Sequence, residues 1–259
     1  KTNVYNQMAQ VLVGYDKTGS IQQFDKDGNL TDGDKLKENI FMSFSRLLIK
    51  DEIKRGSFQL KLNVSGGVHV LGQFPEVITI SDFNAINDYR INSPVGEYGI
   101  LYAHSSSQGL VSSSKFGTGT YDSYAACGLI YYQAGVVVLS GSVFTPAAQG
   151  GILGATALNQ AGGYDFAGEV DNTFTFRDAM TGSNITSLSN NLRSRIQNVQ
   201  FNNTVELNSS IYFCRINHNE YNYSANPTYL NSSQIRVKQQ ASDVPVSYIT
   251  TVGLYSEFY

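Results

Sequence analysis

The sequence predicts a mainly β protein built from antiparallel sheets in a sandwich-like arrangement, with one amphipathic helix near residues 184–199 and a short N-terminal helix. Three observations carry this. Short apolar runs rich in Val, Ile, Tyr and Phe recur between Gly-, Asn-, Asp- and Ser-rich stretches, the pattern of strands and turns. Residues 57–64 alternate polar and apolar side chains, as a half-buried strand does. Residues 184–199 instead space Ile185, Leu188, Leu192, Ile196 and Val199 by three and four, the helical repeat.

Taken in order, Val4, Met8, Val11 and Leu12 stand near helical spacing and predict a helix over residues 3–15. Turn signals at 16–19 and 25–29 flank residues 20–24 and predict a short hairpin. Asp25, Asp27 and Asn29 also resemble the opening of a calcium loop, but the twelfth position is Leu36 where a bidentate Glu is required. A plain turn is the better reading. Residues 40–49 and 57–64 are apolar segments on either side of a charged, solvated turn at 50–56.

Residues 77–80, 99–103 and 128–132 read as strands. Gln133-Ala-Gly135 turns the last of these into Val136-Val-Val-Leu-Ser140. The continuous apolarity of residues 129–144 predicts a central hairpin buried on both faces. Residues 145–181 change to Ala, Gly, Gln and Asn and predict a surface excursion, or an arm that orders against neighbouring copies. Arg193 and Arg195 stand near the carboxyl end of the 184–199 helix, where its dipole favours cations. Strands are expected at 206–217, 234–238 and 248–255, the last with Gly253 marking a close backbone approach.

At 259 residues the chain is long enough for a substantial core. One β-rich domain spanning 1–259 is expected, with an insertion around 145–181, as part of a longer protein. A net charge of −3 supplies no basic excess for phosphates, so no nucleic-acid partner is expected. The longest apolar stretch, 127–144, is interrupted by polar and Gly residues, so no membrane span is expected either. Cys127 and Cys214 each lie in an apolar run and are expected to be buried thiols, with a disulfide across the sheet as the alternative.

Four segments carry a family resemblance: 44–58 (FSRLLIKDEIKRGSF), 92–102 (NSPVGEYGILY), 211–229 (IYFCRINHNEYNYSANPTY) and 244–255 (VPVSYITTVGLY). Together they resemble virion structural proteins of contractile-tailed bacteriophages, especially marine and cyanobacterial ones. The shorter phrase Val252-Gly-Leu-Tyr255 is also similar to the attachment domains of phage tail-collar fibres. The resemblance implies a virion location, with other virion proteins and copies of the chain itself as partners. It also implies host-surface contact if the chain is a fibre component.

The residues themselves offer no reaction. His69, His104 and His218 have no second ligand at metal spacing. His218 and Glu220 suit a surface hydrogen bond on one side of a strand. Nucleophile-elbow, phosphate-loop and dinucleotide patterns are absent from the sequence. No catalytic residue, cofactor or metal is therefore expected. The expected function is a non-enzymatic virion component of tail, baseplate or neck that works through subunit interfaces. A receptor- or glycan-binding fibre module and a capsid-surface protein are the alternatives. The interface candidates are Tyr221, Tyr223 and Tyr229, which suit rigid aromatic anchoring, and Val252, Gly253, Leu254 and Tyr255 in the closing strand.

Overall fold

The computed structural model describes residues 1–30, 33–64, 77–104, 110–116, 123–154 and 175–215, together with 227, 230–231, 234–235, 251–253 and 255. The chain divides into two compact units, Lys1–Glu206 and Leu207–Tyr259, where the sequence leads one to expect a single domain.

The first unit opens with helix α1 (Thr2–Leu12) and then strand β1 (Asn39–Ser43). Helix α2 (Arg46–Ile49) follows, with Ser45 accepting at its amino end from the Leu47 N–H. Next come β2 (Glu52–Ile53), β3 (Gln59–Asn63), β4 (Val77–Ser81), β5 (Tyr89–Arg90) and β6 (Tyr98–His104). The central hairpin is β7 (Tyr124–Tyr131) and β8 (Val136–Ser140). Helices α3 (Phe176–Gly182) and α4 (Ile185–Arg195) lead into β9 (Ile196–Gln200) and β10 (Asn203–Thr204).

The large sheet runs β1-β8-β7-β6-β4-β3-β9, with β5 also on β6 and β10 pairing β2 apart from it. Every pairing among these strands is antiparallel, and the large sheet curls into a half-barrel. The expected β-rich antiparallel fold is therefore present. Among the described residues, its faces are covered by helices, short 3-10 turns and loops, and the further sheets there are two-stranded.

The hairpin is buried on both faces, as its sequence requires. Ile130, Tyr132, Val137 and Leu139 join a core with Phe58, Leu60, Phe144, Phe176 and Leu192. Leu129, Tyr131, Val136 and Val138 join the opposite core with Leu12 and Phe24. Alternation along two strands thus feeds two cores from one sheet. Gly128 permits the close pairing, because a Cβ there would lie 2.4 Å from the Val138 carbonyl oxygen. On the second face Tyr5 and Phe24 meet edge to face at 5.4 Å, and Tyr98 stacks on Tyr131 at 4.8 Å.

Several expectations are corrected. The helix ends at Arg195, and Ile196 and Val199 lie in β9 opposite Leu62 and Leu60. A register shift in β3 between Lys61 and Leu62 brings both residues onto the same core. Helical spacing and a bulged strand bury the same pair here, so periodicity alone misplaced them. Among the described residues, 20–24 form no regular hairpin, and the bridges there are Tyr15↔Ile21 and Asp25↔Lys35. The expected excursion at 145–181 is core at both ends. Ile152 and Leu153 are buried, and Leu153 bridges Val111 and Pro146. At the other end Phe176 packs 6.0 Å from Phe144, beneath a capping box of Thr175 and Asp178. Residues 155–174 of that segment lie outside the described residues.

In the second unit, β11 (Leu230–Asn231) pairs antiparallel with β12 (Gln234–Ile235). The expected strands at 206–217 and 248–255 are corrected where they are described. Residues 206–215, Thr251, Val252, Gly253 and Tyr255 have no regular structure and are exposed. Among the described residues no strand pairs with them, and an isolated extended segment has no partner for its backbone groups.

Candidate functional site

The half-barrel leaves a seam between its two edge strands, β1 and β9. A groove of about 790 Å³ occupies that seam, walled also by α1, α3 and α4. Its floor is apolar: Ile40, Met42, Met180, Leu188, Ile196 and Val199 line it. These residues are only partly buried against the core, so the groove carries apolar surface that the unit leaves uncovered. Ile185, at the start of α4, is 53% exposed and lines the same groove.

The polar lining is one-sided in charge. Lys1, Lys37 and Arg193 border the groove, and among the described residues no Asp or Glu does. Lys1 donates through its ammonium to the Met180 and Ser183 carbonyls, closing one end of α3. Arg193 donates to Asn190 Oδ1 at 3.1 Å. Asn39 also lines the groove and is only 8% exposed. Its amide donates to the Leu36 carbonyl at 3.0 Å, which orients the side chain, and its Oδ1 has no hydrogen-bond partner. A buried acceptor left in that state costs about 1–3 kcal/mol.

Among the described residues, strand β1 pairs on one side only. Gly141 N–H donates to the Glu38 carbonyl at 2.7 Å, and Phe44 N–H donates to the Gly135 carbonyl at 2.9 Å. Alternation then turns the backbone groups of Asn39, Phe41 and Ser43 away from β8, toward the seam. An edge of this kind is a ready template for a further strand.

Two other features stand apart from the groove. Asp82 is fully buried and accepts from the Gly56 N–H at 2.8 Å, the Phe58 N–H at 2.9 Å and the Tyr132 hydroxyl at 3.0 Å. Burial pushes its carboxyl above the usual carboxylate range, although these hydrogen bonds pull the other way. The carboxylate does not line this groove and acts as a structural clamp on the turn before β3. The second feature is an aromatic group: Phe83 stacks on Tyr124 at 4.0 Å, with Tyr102 and His104 beside them. Phe83 is 37% exposed.

Of the sequence-predicted interface residues, the described ones, Val252, Gly253 and Tyr255, do not line this groove. Tyr221, Tyr223, Tyr229 and Leu254 lie outside the described residues, as do His69, His218 and Glu220. Val252 and Tyr255 are 78% and 92% exposed, and Gly253 is exposed between them, so the buried closing strand expected there is corrected. The described residues that line the groove all fall within 1–199, and reading the sequence missed it. The spacing of Ile185, Leu188 and Leu192 was visible, but nothing local told which strand edges they would face.

Among the described residues no cluster of three or more His, Cys, Asp or Glu could hold a metal. The Asp25 carboxylate is occupied by the Lys35 ammonium and the Asp27 and Gly28 N–H groups, as in a plain turn. Among the described residues no helix is long and apolar enough to cross a membrane.

Cys127 is buried, with its thiol 3.5 Å from the Leu101 carbonyl, and burial raises its pKa. Cys214 is exposed, which corrects the expectation that both thiols are buried. A thiol-disulfide reagent at neutral pH is therefore expected to modify one thiol per native chain, at Cys214. The second should react only on unfolding, since a buried neutral thiol is not nucleophilic. Fast modification of both in the native protein would contradict this burial.

Comparison with protein-family models, with curated proteins and with solved structures finds no match for this chain.

Proposed function

We propose that this chain is a non-enzymatic structural component of a tailed-phage virion, in the tail, baseplate or neck, and that it acts through subunit interfaces. The observation that carries the interface is the seam, where an apolar groove runs beside an edge of β1 that no described residue pairs. Proteins normally blunt or cover such edges, and repeated assembly contacts cover them with a neighbour. The phage assignment is supported by the four resembling segments, two of which fall in the first unit at 44–58 and 92–102. Its partners on this reading are other virion proteins and further copies of the chain.

The test is immunogold labelling of purified particles with an antibody to this chain, scored by position. Label on tail, neck or baseplate is the expected result. Label confined to fibre tips would favour the receptor-binding reading, for which the exposed aromatic group at Phe83 and Tyr124 is the supporting observation. Label over the head would indicate a capsid-surface protein, and unlabelled intact particles would overturn the proposal.

A further inference from the structure

We infer that the groove of one copy takes up the closing stretch of a second copy, residues 243–257, as an added strand on β1. This rests on the interface reading above and names the occupant. Three properties of the groove describe what fits it. Backbone groups of Asn39, Phe41 and Ser43 that face away from β8 and pair with no described residue call for an extended polypeptide rather than a lipid or a sugar. The Ile40, Met42 and Leu188 surface calls for apolar side chains on alternate residues of that strand. Lys37 and Arg193, with no acid among the described lining residues, call for negative charge.

The closing stretch has all three properties. Val246, Tyr248, Thr250, Val252 and Leu254 alternate with Ser247, Ile249, Thr251, Gly253 and Tyr255, so either face of an added strand carries apolar groups. Asp243 and Glu257 flank the run, and residues 239–259 contain no Lys or Arg. Thr251, Val252, Gly253 and Tyr255 are exposed and outside any strand, despite β-forming neighbours on both sides. Residues 243–250, 254 and 256–257 lie outside the described residues, so their part in the assignment is their sequence alone. Because donor and acceptor surfaces differ, the contact is head-to-tail, and it propagates from copy to copy.

The test uses two full-length variants at exposed positions, each followed by analytical ultracentrifugation across a concentration series. Ser43→Pro removes a seam-facing N–H without touching the ladder to β8, and Val252→Pro prevents the closing stretch from adding as a strand. The parent is expected to self-associate in the micromolar range and each variant to remain monomeric. Mixed together, the variants should form a one-to-one complex that grows no further, since one supplies an intact groove and the other an intact strand. The double variant Lys37→Glu/Arg193→Glu should weaken parent association at least ~10-fold, and added salt should weaken the parent in the same direction. Thermal melts matching the parent establish that the variants are folded.

Self-association by Val252→Pro equal to the parent's would overturn the inference. If Ser43→Pro is then monomeric, the groove remains an interface with a different occupant. If Ser43→Pro also associates normally, the interface reading fails together with the inference. A parent that stays monomeric at all concentrations overturns the inference and leaves the virion reading to the labelling experiment.

Discussion

Val137→Asp is expected to yield no folded protein. Val137 is fully buried in β8, opposite Ile130 on β7 and Met42 on β1, and packs in the core that also holds Leu60, Phe144 and Leu192. The substitution removes about 1.5–3 kcal/mol of apolar burial. It also places an unpaired carboxylate among hydrocarbon, at several kcal/mol more. Domains of this size are stable by only about 5–15 kcal/mol in total, so the two losses together remove most or all of the margin. Soluble yield and far-ultraviolet circular dichroism measure the outcome. Gln197→Asp, on the exposed side of edge strand β9, is the control and should shift stability by no more than ~0.5 kcal/mol. A Val137→Asp protein melting cooperatively within ~5 °C of the parent would show that this core is not where the structure places it.

Removing the buried carboxylate has the next largest effect. Asp82→Ala leaves the Gly56 and Phe58 N–H groups and the Tyr132 hydroxyl without their acceptor. Each buried donor left unmade costs about 1–3 kcal/mol, and relief from burying the charge offsets part of the sum. A net loss of about 3 kcal/mol is expected, lowering the melting temperature by about 6–12 °C. Tyr132→Phe removes a single donor and should cost about 1–2 kcal/mol.

The pH dependence follows from the raised pKa of Asp82, caused first by burial. The native state holds this proton more tightly than the unfolded chain does. The group's contribution to stability is therefore greatest below its unfolded pKa of 3.8, falls as pH rises toward the raised native value, and is constant above it. Tyr132→Phe removes a hydrogen bond that lowers the native pKa, so it should move the Asp82 titration further up. Carbon-13 NMR of the side-chain carboxyl reads both values. Titration of Asp82 at or below 3.8 in the parent would show that burial does not outweigh its hydrogen bonds, and no change in Tyr132→Phe would remove the Tyr132 hydroxyl from the clamp.

How far the sequence carried the structure varies by element, and the reason is the range of the interactions involved. The β7–β8 hairpin was legible because a three-residue turn joins two continuous apolar runs, and both faces of each strand are buried. Helix α1 and the start of α4 were legible because the 3.6-residue repeat is local. The β9 boundary was not, since Ile196 and Val199 satisfy the helical repeat and leave it only because β3 offers a ladder with a bulge. Cys214 and Val252 read as core because their neighbours are apolar, yet burial requires a partner surface that no neighbour in the chain supplies.

The sequence by itself determined an antiparallel β protein with a doubly buried hairpin, a weak net charge and no motif for catalysis. Only the tertiary structure decided that β1 and β9 end the large sheet among the described residues and that these two strands wall one groove. The physical reason is that strand order and sheet curl are set by pairings between residues far apart in the chain. Asn39 and Val199 belong to the same site because the sheet has curled, and no spacing within either segment encodes that.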